Sequence, residues 1–327
     1  MLNLAVIGTN WISEAFVEAA LQSKQFSLNA VYSRKLENAQ IFAQNSQDEH
    51  CQFYTDLQTL ASDSNIDAVY IASPNSLHCE QAMLMMQNGK HVICEKPISS
   101  NISETRKMFD CANTHNVILF EAFKTEFLPN FEELKRRLTT IGKLRSVYLN
   151  YCQYSSRYQK YLDGENPNTF NPAFSNGSIM DIGFYNVSAA VSLFGKPDSI
   201  QACAKLLDSG VDAHGTVIMT YPNFLVTINH SKVSDGHIDS EFQGEDGVIL
   251  VEHLSQCPRF SIKKRNATQQ TISLEQHENT MVYEAIAFAE QIEDKAMNQA
   301  HVQRSLDVSE VITEIRRQTG VVFPADS

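Results

Sequence analysis

The sequence is short of most features that would commit it to a special environment. No stretch approaches the ~18 consecutive apolar residues of a membrane-spanning helix. The apolar opening Met1-Leu2-Asn3-Leu4-Ala5-Val6-Ile7-Gly8 lacks the basic flank and the length of a secretory signal. Basic residues are in deficit: 26 Lys and Arg stand against 38 Asp and Glu, a formal net charge of -12. A broad surface for nucleic acid or anionic membrane needs clustered Lys and Arg, so neither partner is expected. The 7 cysteines never form a Cys-x-x-Cys pair, and their odd count suits neither a disulfide framework nor structural zinc. Reduced, mostly buried thiols in a cytoplasmic protein are expected, with no metal site. Low-complexity tracts and fixed-period repeats are also missing. What is present is an ordinary globular composition, 43% hydrophobic and 20% charged. At 327 residues the chain exceeds what one hydrophobic core usually holds, which points to two domains.

Short apolar runs at 4–7, 28–32, 68–72, 91–94 and 117–120 alternate with helical patterns at 10–23, 35–45, 77–87 and 103–115. Gly89 stops the third of these helices, and Asn101 followed by Glu104 forms a capping box for the fourth. Such alternation predicts an α/β unit, a doubly wound parallel sheet, over residues 1–121. The pattern then changes. A helix near 130–138 and a long strand at 144–154 lead through an irregular stretch, 164–178, to a helix at 182–194 closed by Gly195. Short alternating strands fill 199–274, and helices near 280–296 and 302–319 follow. Residues 122–327 are expected to form an α+β domain with a large, mainly antiparallel sheet.

The first strand runs through Gly8-Thr9-Asn10-Trp11-Ile12-Ser13 directly into a helix. A dinucleotide-binding Rossmann loop needs a tight turn, close backbone approach to the pyrophosphate, and a small residue where helix meets strand. Gly8 meets the first need. Asn10 occupies the second glycine's place, where its tolerance of a left-handed backbone would serve. Ser13 is a small stand-in for the third. A plain strand–helix turn explains the same residues. The run at 28–32 ends in Ser33-Arg34, with Lys35 next, where an NAD-specific protein usually carries an acid for the ribose hydroxyls. A guanidinium pairs bidentately with phosphate, so NADP(H) is favoured, with NAD(H) as the alternative. Arg34 also fits a solvated strand end. The run at 68–72 continues Ser73-Pro74-Asn75-Ser76-Leu77-His78. Pro74 fixes a turn, Asn75 or Ser76 could cap the next helix, and His78 could either touch ligand or simply pack.

The run at 91–94 ends in Glu95-Lys96-Pro97, a charged pair at a buried strand end that is costly unless used or paired. With the preceding elements in order, the chain resembles the glucose-fructose oxidoreductase / inositol dehydrogenase (Gfo/Idh/MocA) family over nearly its whole length. The second signature of that family reads here Gly177-Ser178-Ile179-Met180-Asp181-Ile182-Gly183-Phe184-Tyr185. Sugar and inositol dehydrogenases of the family usually carry Asp-x-x-x-His. The Asp181-x-x-x-Tyr185 form is that of glucose-fructose oxidoreductase and the dimeric dihydrodiol dehydrogenases. Asp181 could also be a helix N-cap and Tyr185 a core aromatic. Relatives often have Arg where Glu126 stands.

The resemblance implies a hydride-transferring NADP-dependent oxidoreductase. Gly8, Thr9, Asn10, Trp11, Ile12, Ser33, Arg34, Ser73, Pro74, Asn75, His78, Glu95 and Lys96 would hold the cofactor, and a cis peptide is expected at Pro97. Lys96, Tyr185 and Asp181 would act on a small polyhydroxylated substrate such as a sugar, polyol or diol. Tyr185 would be the general acid/base, tuned by Lys96 and meeting it beside the nicotinamide ring. Relatives associate through the second sheet, so a homodimer or larger homo-oligomer is expected. A catalytically silent NADP-binding sensor of the same fold is the alternative, as is a methyltransferase on the same sheet.

Overall fold

The computed structural model describes residues 1–45 and 51–327. It begins with strand β1 (Leu2–Ile7), whose last four residues are buried, and the chain turns at once into helix α1 (Trp11–Gln22). There follow β2 (Phe26–Tyr32), α2 (Leu36–Asn45), β3 (Gln52–Tyr54), α3 (Leu57–Ser62), β4 (Ala68–Ile71), α4 (His78–Gln87), β5 (His91–Glu95), α5 (Ile102–His115) and β6 (Leu119–Ala122). The six strands pair in parallel in the order β3-β2-β1-β4-β5-β6. A parallel sheet covered on both faces wants continuous apolar strands, and Ala-Val-Tyr-Ile of β4 is buried at every position.

Local chemistry sets the helix ends. Asn101 Oδ1 accepts from the Glu104 N–H at 3.0 Å, which is the capping half of the expected box, while the Glu104 carboxylate accepts the Ser100 N–H at 2.9 Å, one residue before the cap. The sequence reading lacks β3 and α3. Gln52–Tyr54 is a three-residue edge strand, too short to show alternation. α3 has 6 residues and depends on Asp56, which accepts the Thr59 N–H at 2.7 Å.

The second unit contains α6 (Pro129–Arg137), β7 (Leu144–Cys152), α7 (Tyr158–Leu162), α8 (Phe184–Phe194), and β8 (Ser199–Leu206) through β9 (Asp212–Tyr221), β10 (Phe224–Ser231), β11 (Ser240–Gly244), β12 (Gly247–Val251), β13 (Phe260–Lys264) and β14 (Gln270–Ile272). These strands form an eight-stranded sheet, β14-β13-β12-β11-β7-β10-β9-β8. Only β7 and β10 run parallel; the other neighbours are antiparallel. α8 packs its apolar residues, Val187 and Val191 among them, on this sheet's buried face.

The last two helices, α9 (Met281–Asp294) and α10 (Gln299–Thr319), change the domain account. The chain divides into Met1–Lys124 with His277–Leu306, and Thr125–Gln276 with Asp307–Ser327. The expected division into 1–121 and 122–327 lies close to the first crossing but places α9 in the wrong unit. α9 belongs with the parallel sheet because it packs on α1 and because Phe288 stacks on Phe26 (5.9 Å between centroids) and meets Phe120 (5.7 Å). Sequence periodicity identifies a helix but not the surface it covers. Among the described residues no helix is long and apolar enough to cross a membrane.

Candidate functional site

In the first unit the predicted residues gather at the carboxyl ends of β2, β1, β4 and β5, where ligands bind in open α/β sheets. Gly8 has φ +110°, and a Cβ there would lie 2.8 Å from the carbonyl oxygen of Ala72. Only glycine satisfies both conditions. Thr9 and Ile12 are half-buried, while Trp11 is 71% exposed at the start of α1. Asn10 is not left-handed as expected. Its backbone is extended (φ -98°, ψ 174°), and it is the N-cap of α1. Its Oδ1 accepts from the N–H groups of Ile12 (3.0 Å) and Ser13 (3.2 Å), and its Nδ2 donates to the Ala72 carbonyl at 2.9 Å. Asn10 therefore ties the β1 turn to the end of β4, which a glycine could not do. Ser13 is fully buried, as a small residue at a helix–strand contact should be.

Ser33 is half-buried and Arg34 and Lys35 are exposed beyond the end of β2. After β4, Ser73 Oγ donates to Gln81 Oε1 at 2.7 Å. Pro74 leads into a 3-10 turn, Asn75–Leu77, that continues into α4. The helix begins on Leu77 without a side-chain cap, so the expected capping by Asn75 or Ser76 is replaced by this tight turn. His78 is buried, with Nε2 2.9 Å from the Ser73 carbonyl and Nδ1 3.0 Å from the Pro97 carbonyl. Burial pushes its pKa down, opposed by those two carbonyls. Two carbonyl acceptors suit a doubly protonated ring, which burial opposes; a neutral ring has one N–H and donates to only one of them. Its geometry is that of a tie between two strand-end loops.

Beyond β5, the Lys96–Pro97 peptide is cis. Tyr70 Oη donates to Glu95 Oε1 at 2.6 Å, and the Lys96 N–H donates to Glu95 Oε2 at 3.1 Å. Burial pushes the Glu95 carboxyl upward, while Lys96 and the Tyr70 hydroxyl pull it down. Burial also pushes the Lys124 ammonium down, against the attraction of Glu284 and Glu95. Tyr70, Lys124 and Glu284 were not candidates on sequence grounds. Glu284 did leave a signal: it falls on the apolar stripe of α9 formed by Met281, Ala285 and Phe288, the spacing of one helix face.

In the second unit, Asp181 and Tyr185 lie on consecutive helical segments. Residues Ile179–Gly183 form a π-helical turn that passes into α8, so Asp181 is inside a helix and is not its N-cap. Such turns are frequent at functional positions. The cap comes from a distance: buried Asp212 accepts the Ile179 N–H at 2.6 Å. Gly177, at φ +141°, leaves the space that the Asp212 carboxylate fills. Burial raises Asp212 to about 6, against the backbone N–H groups of Ile179 and Ser178. Beside it, His230 Nδ1 lies 2.8 Å from Ser178 Oγ and 3.6 Å from Asp212 Oδ2. Burial, followed by the neighbouring His214, lowers His230 to about 3, so the ring is neutral.

Asp181 forms an ion pair with Lys232, a mostly buried residue just after β10. Lys232 is not among the residues the sequence singles out. A lysine directly after the alternating strand ending Asn229-His230-Ser231 gives no local sign of its partner. Tyr185 is half-buried, its ring 5.8 Å from that of Tyr151 and 6.2 Å from that of Phe184. It is therefore not a fully buried core aromatic. Glu126 is buried and accepts from Ser192 Oγ at 2.8 Å. Arg157 is exposed, whereas Tyr158 and Tyr161 stack (6.1 Å, 10°) and pack on Phe170.

The chain is similar to known proteins along its whole length. Residues 2–123 match a family described as "Oxidoreductase family, NAD-binding Rossmann fold" (GFO_IDH_MocA), and residues 131–250 match the "GFO/IDH/MocA C-terminal domain". The Escherichia coli protein named "Uncharacterized oxidoreductase YgjR" is 55% identical over 100% of this chain and 99% of its own. The scyllo-inositol 2-dehydrogenase (NADP(+)) IolU of Bacillus subtilis is 44% identical, with coverage of 100% and 99%. Among solved structures, KijD10, a 3-ketoreductase from Actinomadura kijaniata in complex with NADP and TDP-benzene, superposes with a TM-score of 0.86 at 20% identity. That match covers 97% of this chain and 98% of the other.

Proposed function

Because the chain belongs to the Gfo/Idh/MocA family of NAD-binding oxidoreductases, we propose that it oxidises a carbinol carbon of a small polyhydroxylated compound, or reduces the corresponding carbonyl, with NADP(H). The observation that carries this reading is that the Gly8 turn, the start of α1 and Glu95-Lys96-Pro97 stand at the carboxyl ends of β1 and β5, the two parallel strands that flank β4. The donor set fits a phosphorylated dinucleotide. The N-terminus of α1 favours an anion, and exposed Arg34 with Ser33 stands where an acid would select NAD. Thr9, Asn10, Trp11 and Ile12 would line the pyrophosphate. Ser73, Pro74, Asn75 and Glu95 would border the nicotinamide end, with His78 holding their backbone. NAD(H) remains the second choice of cofactor, because Arg34 is exposed and can turn aside.

NADP(H), when bound, supplies or accepts the hydride. The chain's own residues manage the accompanying proton. Tyr185 exchanges it at the substrate oxygen. A phenol with pKa ~10 is a poor base at neutral pH, so it needs a cation beside it. On the strength of the family motif Glu95-Lys96-Pro97 we assign that role, and binding of the substrate oxygen, to Lys96. Asp181, anchored by Lys232, accepts a hydrogen bond from a neighbouring substrate hydroxyl. Several adjacent hydroxyls on one small ring suit such a site, and an inositol-like polyol is the first substrate to try. The exposed face of β9 and β10, Ile218 and Leu225 among its residues, would meet a second copy in a homodimer.

The test is a screen of polyols, sugars and diols that follows NADPH absorbance in both directions, on the wild type, Lys96→Met and Tyr185→Phe. Wild-type turnover with NADP+ is expected for at least one polyol. Tyr185→Phe should keep NADPH binding and lose about 10²- to 10⁴-fold in turnover, the usual range for a lost general acid/base. Near-normal turnover in that variant removes Tyr185 from the chemistry. Tight NADPH binding with no turnover across the panel favours the silent sensor.

A further inference from the structure

One acid in the first unit has no part in the account above. Glu284 on α9 is 0% exposed, and neither of its carboxyl oxygens has a hydrogen-bond partner among the described residues. Charged and titratable groups face it from every side. Glu95 comes from β5, Lys124 from the segment after β6, Arg304 from α10, and the Tyr70 hydroxyl from β4. Most of these are already engaged. Arg304 lies 3.7 Å from Glu121, which also accepts from the Ile98 N–H (3.0 Å) and Ser305 Oγ (2.7 Å). Glu95 holds the Tyr70 hydroxyl on one oxygen and the Lys96 N–H on the other.

An apolar residue at position 284 would complete the α9 stripe and cost nothing in desolvation. A carboxyl there, without hydrogen bonds and beside a second acid, is expensive as an anion. Two acids in one low-dielectric site do not both ionise readily, and a proton stays with the pair. Glu95 is the one with donors aimed at it, so Glu284 is the one that keeps the proton.

We propose that Glu284 is a positioning residue for Glu95-Lys96-Pro97: as the protonated member of a buried acid pair it leaves Glu95 ionised to hold the Lys96 backbone. On losing its proton it changes the charge balance around Lys124 and Lys96. This rests on the assignment of Lys96 to the substrate oxygen. Burial and then Glu95 both push the Glu284 carboxyl well above the ordinary range, while Lys124 and Arg304 oppose them. Its proton is therefore held to a higher pH than that of an ordinary carboxyl, and a pH–rate profile can follow its loss.

Glu284→Gln is a neutral, nearly isosteric copy of the protonated acid, which fixes the expected sign. In kcat/KM against pH, wild type and Glu284→Gln should coincide at the acid end and diverge above one alkaline inflection, reaching about tenfold one pH unit beyond it, since each unit changes the protonated fraction about tenfold. Glu284→Asp should restore the inflection. A Glu284→Gln profile that keeps the inflection unchanged overturns the proposal. A second readout needs neither turnover nor a folded variant. Infrared titration of the wild type labelled at glutamate carboxyls should show a protonated-acid carbonyl stretch at pH 7 that fades as the pH rises. Its absence at pH 7 also overturns the proposal. Lys96→Met separates the two claims: turnover surviving in that variant ends the assignment of Lys96 and leaves the infrared result to stand or fall alone.

Discussion

Two helix starts in this protein meet the same requirement with residues drawn from very different distances. Each follows a glycine with positive φ, and each must satisfy N–H groups that have no partner inside the helix. At α1 the cap is Asn10, the residue next to the helix, and the glycine is needed because the carbonyl of Ala72 is close. At the π turn before α8 the cap is Asp212, on β9, and the glycine is needed to admit that carboxylate. The first cap is short, polar and half in water. The second is an acid wholly buried with a neutral histidine beside it. A cap supplied locally costs little and can be replaced. One supplied from another strand makes the helix start, the sheet and a buried charge depend on one another.

That contrast is most strongly tested at the glycines. Gly177→Ala puts a Cβ into the Asp212 carboxylate and a side chain on a φ of +141°. The backbone strain alone costs about 1–3 kcal/mol. Displacing the buried cap adds to it, so the variant should show the largest fall in urea midpoint, more than Gly8→Ala. Equal midpoints for Gly177→Ala and wild type would sever the link between the two regions.

The next effect is on pH dependence. His230 in the fold is held near 3, below the ~6.5 of an unfolded histidine. Its contribution to stability is therefore present above pH ~6.5 and lost as pH falls toward 3, by up to about 1.4 kcal/mol per unit. Asp212, raised to about 6, has the opposite sign: its contribution is complete below the unfolded value of ~3.9 and lost as pH rises through 6. The two offset each other between about pH 4 and 6. His230→Gln, which can still bond Ser178, should remove only the first term. With only the Asp212 term left, its stability should rise relative to that of wild type from pH 7 to pH 5 in parallel urea titrations. Identical pH slopes would mean that His230 is not held neutral.

The smallest change is expected at the local cap. Asn10→Ala should cost about 1 kcal/mol, and Asn10→Ser should recover most of it. A loss from Asn10→Ala as large as that from Gly177→Ala would erase the distinction between near and distant caps.

The same distinction explains what could be read from the sequence. Strand runs, helix stripes, Gly8, Asn101 with Glu104, and the Glu95-Lys96-Pro97 tripeptide are all local patterns, and each maps onto the element expected of it. Asn10 caps a helix where a left-handed turn is expected, because an asparagine can do either. Lys232, Asp212 and Glu284 act on residues far from them in the chain. Lys232 and Asp212 carry no local sign of their partners, and for Glu284 the only sign is an acid on an apolar stripe. Two-residue-period strands in the second unit revealed a sheet, but not that β7 lies beside β10 in parallel.

The return of α9 to the first unit has a consequence for how the protein is made. The parallel sheet is complete once residue 122 has left the ribosome, yet Phe26 and Phe120 wait for Phe288, which is synthesised much later. During that interval the nascent chain carries an uncovered apolar face, which exposes it to aggregation. No single cut can release the nucleotide-binding half whole. An excised version would have to join residues 1–124 to 277–306 through a new linker.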